Sequence, residues 1–302
     1  MWFWLSLIAL LCWSGSDLFS KIGCRDPRDK FSPLKMVIAV GVVMGLHAAY
    51  EIFVGGTEIN LSILLTYLPV SLLYIGSMTL GYVGLRYIEL SISSPICNSS
   101  GALVAVMTLI FSGISGYSPL ALVAVALVCA GAIGLGVVDA CEDEDLRAAR
   151  QEASNYKYAK SAMALAMPVA YCLLDAAGTF ADNRVLETLN EDSANVAYEL
   201  TFLLAAVVCF VYVVLIKRTP LIPKLEAPKY IGAVCETAGQ FAYIYAIADT
   251  EHLAMSAPII SSYCAASVLW SRIFLKEKLS WKHSLMILLI IIGIAIMGFV
   301  DM

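Results

Sequence analysis

Ten apolar runs, each about 20 residues long, fill this chain nearly from end to end and leave it one workable architecture. They fall near 1–20, 33–53, 63–86, 91–111, 118–138, 160–180, 194–216, 230–248, 253–274 and 280–300. A helix of that length crosses the roughly 30 Å of hydrocarbon in a bilayer, whereas a barrel strand needs only about 10 residues and alternates apolar with polar positions. These runs do not alternate. With 60% hydrophobic and 14% charged residues, the 302-residue chain also has too little polar side chain to coat a soluble body. The expectation is an all-α integral membrane protein with ten transmembrane helices. The longest polar stretch, 139–159, reads as a charged cytoplasmic linker between 1–138 and 160–302.

Charge placement orients the spans. Lys21, Arg25, Arg28, Lys30 and Lys35 crowd the first loop, and nearly every other Lys and Arg lies in or beside an odd-numbered loop, with Arg184 in an even one. Because cytoplasmic loops are the basic ones, the odd loops should lie inside a cell membrane and both termini on its outer face. The first span lacks the basic leader of a cleavable signal and should remain as an anchor. Seven of nine cysteines fall within spans, and Cys24 and Cys141 belong to loops assigned to the reducing side, so no disulfide framework is expected. Without Cys-x-x-Cys pairs or clustered histidines, no metal or cofactor is expected.

The sequence also repeats weakly. Ser93, Pro95, Ile96 and Ser99 coincide with Ser256, Pro258, Ile259 and Ser262 at one offset, which carries Tyr82 onto Tyr245. Nearby offsets set Gly131 and Gly136 on Gly293 and Gly298, and Trp13 and Asp17 on Tyr171 and Asp175. Each half then holds five spans, and an odd number forces the second copy into the membrane upside down. Equivalent loops should carry opposite charge bias, and they do: loop two (GGTEIN) has no Lys or Arg, while loop seven (KRTPLIPK) is rich in them. Two inverted-topology five-helix repeats are therefore expected, a plan recurrent in secondary transporters. Chance similarity among apolar helices is the alternative, and the charge inversion weighs against it.

Acids inside spans are costly and point to function. Trp13 and Asp17, and Tyr171 and Asp175, are spaced by four, so each aspartate shares a helical stripe with an aromatic ring. A ring beside a carboxylate suits a desolvated cation. The alternatives are that Asp17 pairs with Lys21 and that a hydroxyl caps Asp175. Glu236, Gln240 and Tyr243 share a face of span eight, and Glu199 lies in span seven. These acids leave the interior negative unless some bind protons, the role expected of Glu236 and Glu199. Pro95 and Pro258 free helix carbonyls beside Asn98 and Ser261, which can bind a substrate or bond between helices. Gly131, Gly134 and Gly136 spell part of a phosphate loop but, lying in mid-span, are read as close-packing residues.

Ten spans, the Trp13-Ser14-Gly15 element followed by Lys21, Pro-centred spans four and nine, and Lys276-Glu277-Lys278-Leu279-Ser280 entering a last helix with Gly293 and Gly298 together resemble the drug/metabolite transporter superfamily, EamA-like branch. The resemblance implies a secondary transporter with a central cavity walled by spans one, three, four, six, eight and nine. Asp17 and the acids of spans seven and eight depart from the commoner pattern.

The expected function is proton-coupled transport of a small cationic or zwitterionic metabolite. Asp17, Asp175, Trp13, Tyr171, Tyr245, Asn98, Ser261 and Gln240 would meet the substrate. The bilayer and protons are the partners, nucleic acid is not, and a monomer is the expected unit. One alternative is a carrier of organic anions such as nucleotide sugars or sugar phosphates, which would need deep Lys or Arg. Another is an integral membrane enzyme acting on a lipid-linked donor, for which His47, His252 and His283 have no second ligand close by in sequence.

Overall fold

The computed structural model describes residues 1–24, 26, 29–87, 90–113, 117–141, 162–275 and 280–300. Most of the charged linker, the Lys276–Leu279 stretch, Arg25 and Arg28 lie outside the described residues. Among those described, every regular element is helical. In order these are α1 Trp2–Cys24, α2 Ser32–Tyr50, α3 Leu61–Tyr87, α4 Leu90–Asn98, α5 Ser100–Ser112 and α6 Pro119–Ala140, then α7 Ala162–Leu186, α8 Glu191–Phe210, α9 Pro223–Ala248, α10 Leu253–Ser261, α11 Tyr263–Trp270 and α12 Trp281–Val300. α2, α8 and α11 each run on into a π-helical turn, at Glu51–Gly55, Val211–Ile216 and Ser271–Leu275.

Among the described residues, eight segments are long and apolar enough to cross a membrane: α1, α2, α3, α4 with α5, α6, α8, α10 with α11, and α12. α7 and α9, with 25 and 26 residues, match them in length at about 1.5 Å rise per residue. Their composition is more polar: α7 carries Asp175, Asp182 and Arg184, and α9 carries Glu226, Lys229 and Glu236. The outer surface is greasy, with Leu46, Phe53, Leu72, Ile110, Leu204 and Ile291 all exposed. Such a surface belongs in lipid. The chain is a multi-pass membrane protein.

Local rules set the ends and breaks. Asn190 caps α8 by accepting from the Asp192 and Ser193 N–H groups at 2.9 and 3.3 Å, with two acids in the first turn matching the helix dipole. α9 opens with Pro223, where a missing N–H is harmless. Gly56 ends the α2 extension with φ of 75°, a conformation glycine reaches without strain. The α4/α5 and α10/α11 breaks fall at Ser99 and Ser262, four residues after Pro95 and Pro258. Each proline lacks an N–H, and each break residue takes a near-3₁₀ turn, with ψ of −9° and 2°.

The two halves of the chain interleave. The most extensive contacts pair α1 with α9, α3 with α7, α2 with α8 and α6 with α12, while α5 crosses α10 and α4 crosses α11. Two apolar cores flank the centre. One is built around Tyr67, Tyr198, Phe202 and Ile244, the other around Ala124, Val128, Ile259 and Ile290. The glycines read as packing positions serve that purpose. A Cβ on Gly131 would lie 2.8 Å from the Met286 carbonyl oxygen, and one on Gly293 would lie 2.8 Å from that of Ala124. The α6 and α12 backbones therefore touch through reciprocal glycines.

Overpacking such a crossing costs about 1–3 kcal/mol. Gly293→Val should lower the thermal unfolding midpoint of the detergent-solubilised protein. Gly76→Ala, whose methyl would meet just Leu174 Cδ1 at 3.7 Å, should leave it nearly unchanged.

Candidate functional site

Helices α1, α3, α4, α5, α7, α8, α9, α10 and α11 enclose a central chamber with about 910 Å³ of space between its lining atoms. Asp17, Asp175 and Glu236 all line it, and each is half-buried, its carboxyl reached from the chamber and not from lipid. The Asp17 carboxylate accepts from Ser94 Oγ at 2.5 Å and Ser267 Oγ at 2.9 Å, one hydroxyl from α4 and one from α11. Asp175 accepts from Ser100 Oγ of α5 at 2.7 Å. Ser16 hydrogen-bonds Glu236. Hydroxyl donors therefore hold the acids, and among the described residues no lining side chain is Lys or Arg.

Proximity to the helix breaks explains this arrangement. Ser94 and Ser100 bracket the α4/α5 break, where the chain turns its hydroxyls inward on both sides. Asn98 braces Ser94 by donating to its carbonyl at 2.8 Å and to its hydroxyl at 3.2 Å. On α1, Trp13 faces the chamber, packs on Tyr243 and Tyr263 at centroid distances of 5.0 and 5.9 Å, and donates from Nε1 to the Glu236 carbonyl at 3.3 Å. A Cβ on Gly239 would lie 2.6 Å from that Nε1, so glycine there makes room for the indole. Gln240 Nε2 and the Tyr82 hydroxyl face the chamber, buried and without a hydrogen-bond partner.

Of the residues singled out in the sequence, Trp13, Asp17, Asn98, Tyr171, Asp175, Glu236, Gln240 and Ser261 all line the chamber. Tyr245 and Glu199 do not. Tyr245 sits two positions beyond Tyr243, on the far side of α9, where its ring meets that of Phe241 edge to face and its hydroxyl donates to Asp192. Glu199 is buried between α8 and α2, paired with His47 Nδ1 at 2.8 Å and bonded by Asn195 at 3.2 Å. Lys21 is not the partner of Asp17; its ammonium donates to the Leu85 carbonyl at 2.9 Å.

Asp182 is absent from the sequence reading. It sits seven residues beyond Asp175, on the same stripe of α7, and accepts from Tyr67 at 2.8 Å and Tyr74 at 3.3 Å. Tyr74 shares a hydrogen bond with the Tyr243 hydroxyl, which donates to Thr179 at 3.1 Å. Extending the Tyr171–Asp175–Thr179 stripe by one more turn would have found this acid.

Below the chamber, where α1 and α3 end and α2 and α9 begin, the charged side chains are buried instead of solvated. Lys35 reaches Asp29 at 2.9 Å and Glu226 at 3.4 Å, and Lys229 reaches Glu226 at 2.8 Å. Lys35 and Lys229 are 4% and 1% exposed, so these are structural ions and not the loop anchors that a charge count suggests. They tie α2 to α9, one from each half of the chain.

A helical membrane bundle around a polar, acid-lined chamber is the form of a small-molecule carrier. Residues 164–299 match the EamA-like transporter family model, in keeping with the drug/metabolite transporter superfamily. No curated protein matches the chain. Among the solved structures, one crystal structure of a protein aligns over 98% of this chain and 96% of its own, at 14% identity and a TM-score of 0.63. That likeness is one of fold.

Removing one member of a buried ion cluster leaves another uncompensated, at a cost of about 3–5 kcal/mol. Glu226→Leu should therefore destabilise the folded protein strongly. Adding Lys229→Met should recover more than about 1 kcal/mol of the loss, read as a coupling in a double-mutant unfolding cycle.

Proposed function

We propose that the chain is a secondary carrier of a small cationic or zwitterionic metabolite, coupled to protons and working by alternating access. One observation carries this reading: three acids, Asp17, Asp175 and Glu236, converge on a chamber walled by Trp13, Tyr171, Tyr243 and Tyr263 and, among the described residues, lined by no cationic side chain. A desolvated cation gains there both from carboxylate charge and from ring faces, the latter on the order of 2 kcal/mol where water is excluded. Asp17 and Asp175 hold the substrate's charge, and Glu236 exchanges a proton as the substrate comes and goes. Gln240, Asn98 and Ser261 supply neutral donors and acceptors. The organic-anion reading lacks support, because phosphate recognition calls for Arg or Lys among the lining residues.

The alternating-access part rests on ten spans in two inverted sets of five. Several features support it. The breaks at Ser99 and Ser262 are equivalent positions of the repeat, as are the touching glycines Gly131 and Gly293. α2 and α8, the second span of each set, both end in a π-helical turn. The interhelical pairings are those of a twofold exchange, with α1–α9 answering α3–α7 while α2–α8 and α6–α12 each pair with their own counterpart. The basic odd loops place both termini on the outer face of the cell membrane.

Flux in sealed vesicles tests the proposal, using amines, amino acids and organic anions, each with and without a pH gradient. A cation or zwitterion should move, and the gradient should drive it uphill. Asp175→Asn should reduce that flux roughly 30- to 150-fold, the effect of losing a buried charge contact worth about 2–3 kcal/mol, while the protein still reaches the membrane. Unchanged flux in that variant, or transport confined to anions, would sink the reading.

A further inference from the structure

Asp182 has no part in the chamber lining, yet it is fully enclosed beside it, at 0% exposure. Its oxygens meet two phenol hydroxyls of α3, Tyr67 and Tyr74. Beyond Tyr74 lie Tyr243 of α9, which shares a hydrogen bond with the Tyr74 hydroxyl, and Tyr198 of α8, whose ring meets that of Tyr74 edge-on at 5.8 Å. The next charged neighbour along α7, Arg184, is surface-exposed and paired with Glu187 at 2.8 Å. α4 and α5 meet α7 nearer Asp175, where Ser100 binds. No cation contacts Asp182 among the described residues.

A carboxyl so placed has two fully bonded forms. As a carboxylate it accepts from both tyrosines. With a proton it donates, and a tyrosine must turn its own hydrogen elsewhere, which a hydroxyl can do because it both donates and accepts. Tyr74 has somewhere to turn: its oxygen lies 3.3 Å from Thr179 Oγ1 and shares a bond with Tyr243, whose hydroxyl lies 3.1 Å from the same Thr179. Those three residues are chamber walls, and Thr179 stands one turn from Asp175. The polarity of this hydroxyl chain thus reports at the chamber whether Asp182 carries a proton.

We propose that Asp182 is a proton-binding site of the carrier, separate from the substrate chamber and joined to it by the hydroxyls of Tyr74, Tyr243 and Thr179. It rests on the carrier reading for its transport consequence, though not for the proton itself. Binding forms one O–H bond on a carboxyl oxygen with a proton from water, and release reverses that step. Since the site lies outside the chamber, proton and substrate can be held together, and each alters the other's binding through the chain.

Two measurements on the full-length protein test this. Infrared pH-difference spectra of the solubilised protein, taken without substrate, should contain a protonated-carboxyl band that D182N removes. In vesicles, using an amine found to be transported, D182N should keep substrate exchange within about twofold while moving one proton fewer per substrate. If D182N fails to reach the membrane, Tyr67→Phe serves, and the band's midpoint should move by about one pH unit, the scale of losing one hydrogen bond to a carboxylate. A D182N spectrum identical to that of the native chain, an unmoved midpoint in Y67F, or an unchanged proton ratio overturns the site. Absence of any transported cation together with a band lost in D182N would overturn the carrier reading and leave the proton site standing.

Discussion

Carboxyl groups can sit inside this bundle because broken helices bring hydroxyls to them. An acid in hydrocarbon must find hydrogen-bond donors within the protein, and an unbroken apolar helix offers few. Pro95 starts the remedy: the turn it forces at Ser99 aims Ser94 at Asp17 and Ser100 at Asp175. One irregular segment thereby serves an acid from each half of the chain. Ser267 adds a second donor to Asp17 from α11. The chamber, its charge and the proximity of its acids all depend on that break, and the small residues around it let the helices close on one another without filling the centre.

The two ends of the chamber are joined by different chemistry. At one end the halves meet through Lys35, Glu226 and Lys229, where full charges are compensated within about 3.5 Å. At the other they meet through Tyr67, Tyr74, Tyr243, Thr179 and Asp182, a cluster of hydroxyls around one carboxyl. Separating a buried ion pair exposes two charges that water must solvate together. Separating phenols from a carboxyl exposes groups that water can replace one at a time. The two ends thus differ in how water could replace their contacts, pairwise at the ionic end and singly at the hydroxyl end.

Much of this was legible in the sequence, and the limits are physical. Long apolar runs report helices because lipid leaves the backbone no other partner, and the expected walls at Trp13, Asp17, Asn98, Tyr171, Asp175, Glu236, Gln240 and Ser261 are the walls found. Span boundaries were weaker guides. Asp182 lies just past the expected end of its span at 180 and so was passed over, whereas α7 continues to Leu186 and keeps it buried. Glu199 failed for the opposite reason: its depth was right, but helical angle decides which neighbour an acid meets, and at that angle the neighbour is His47. Tyr245 shows the same limit, because residues two apart on a helix face nearly opposite ways.

Lys35 and Lys229 mark a further limit. Basic residues near span ends satisfy a charge-bias rule whether they snorkel into water or turn inward, since the rule counts them without asking where they point. Here Glu226, three residues before Lys229 on α9, and Asp29, six before Lys35, supply the acids that make burial tolerable. A basic residue accompanied by an acid at such spacing can leave the surface, and one without such company cannot. That difference separates the internal ions of this chain from Lys217, whose ammonium lies over the exposed Tyr212 ring at 5.3 Å. Basic residues counted with the loops therefore also help to join the two halves of the chain.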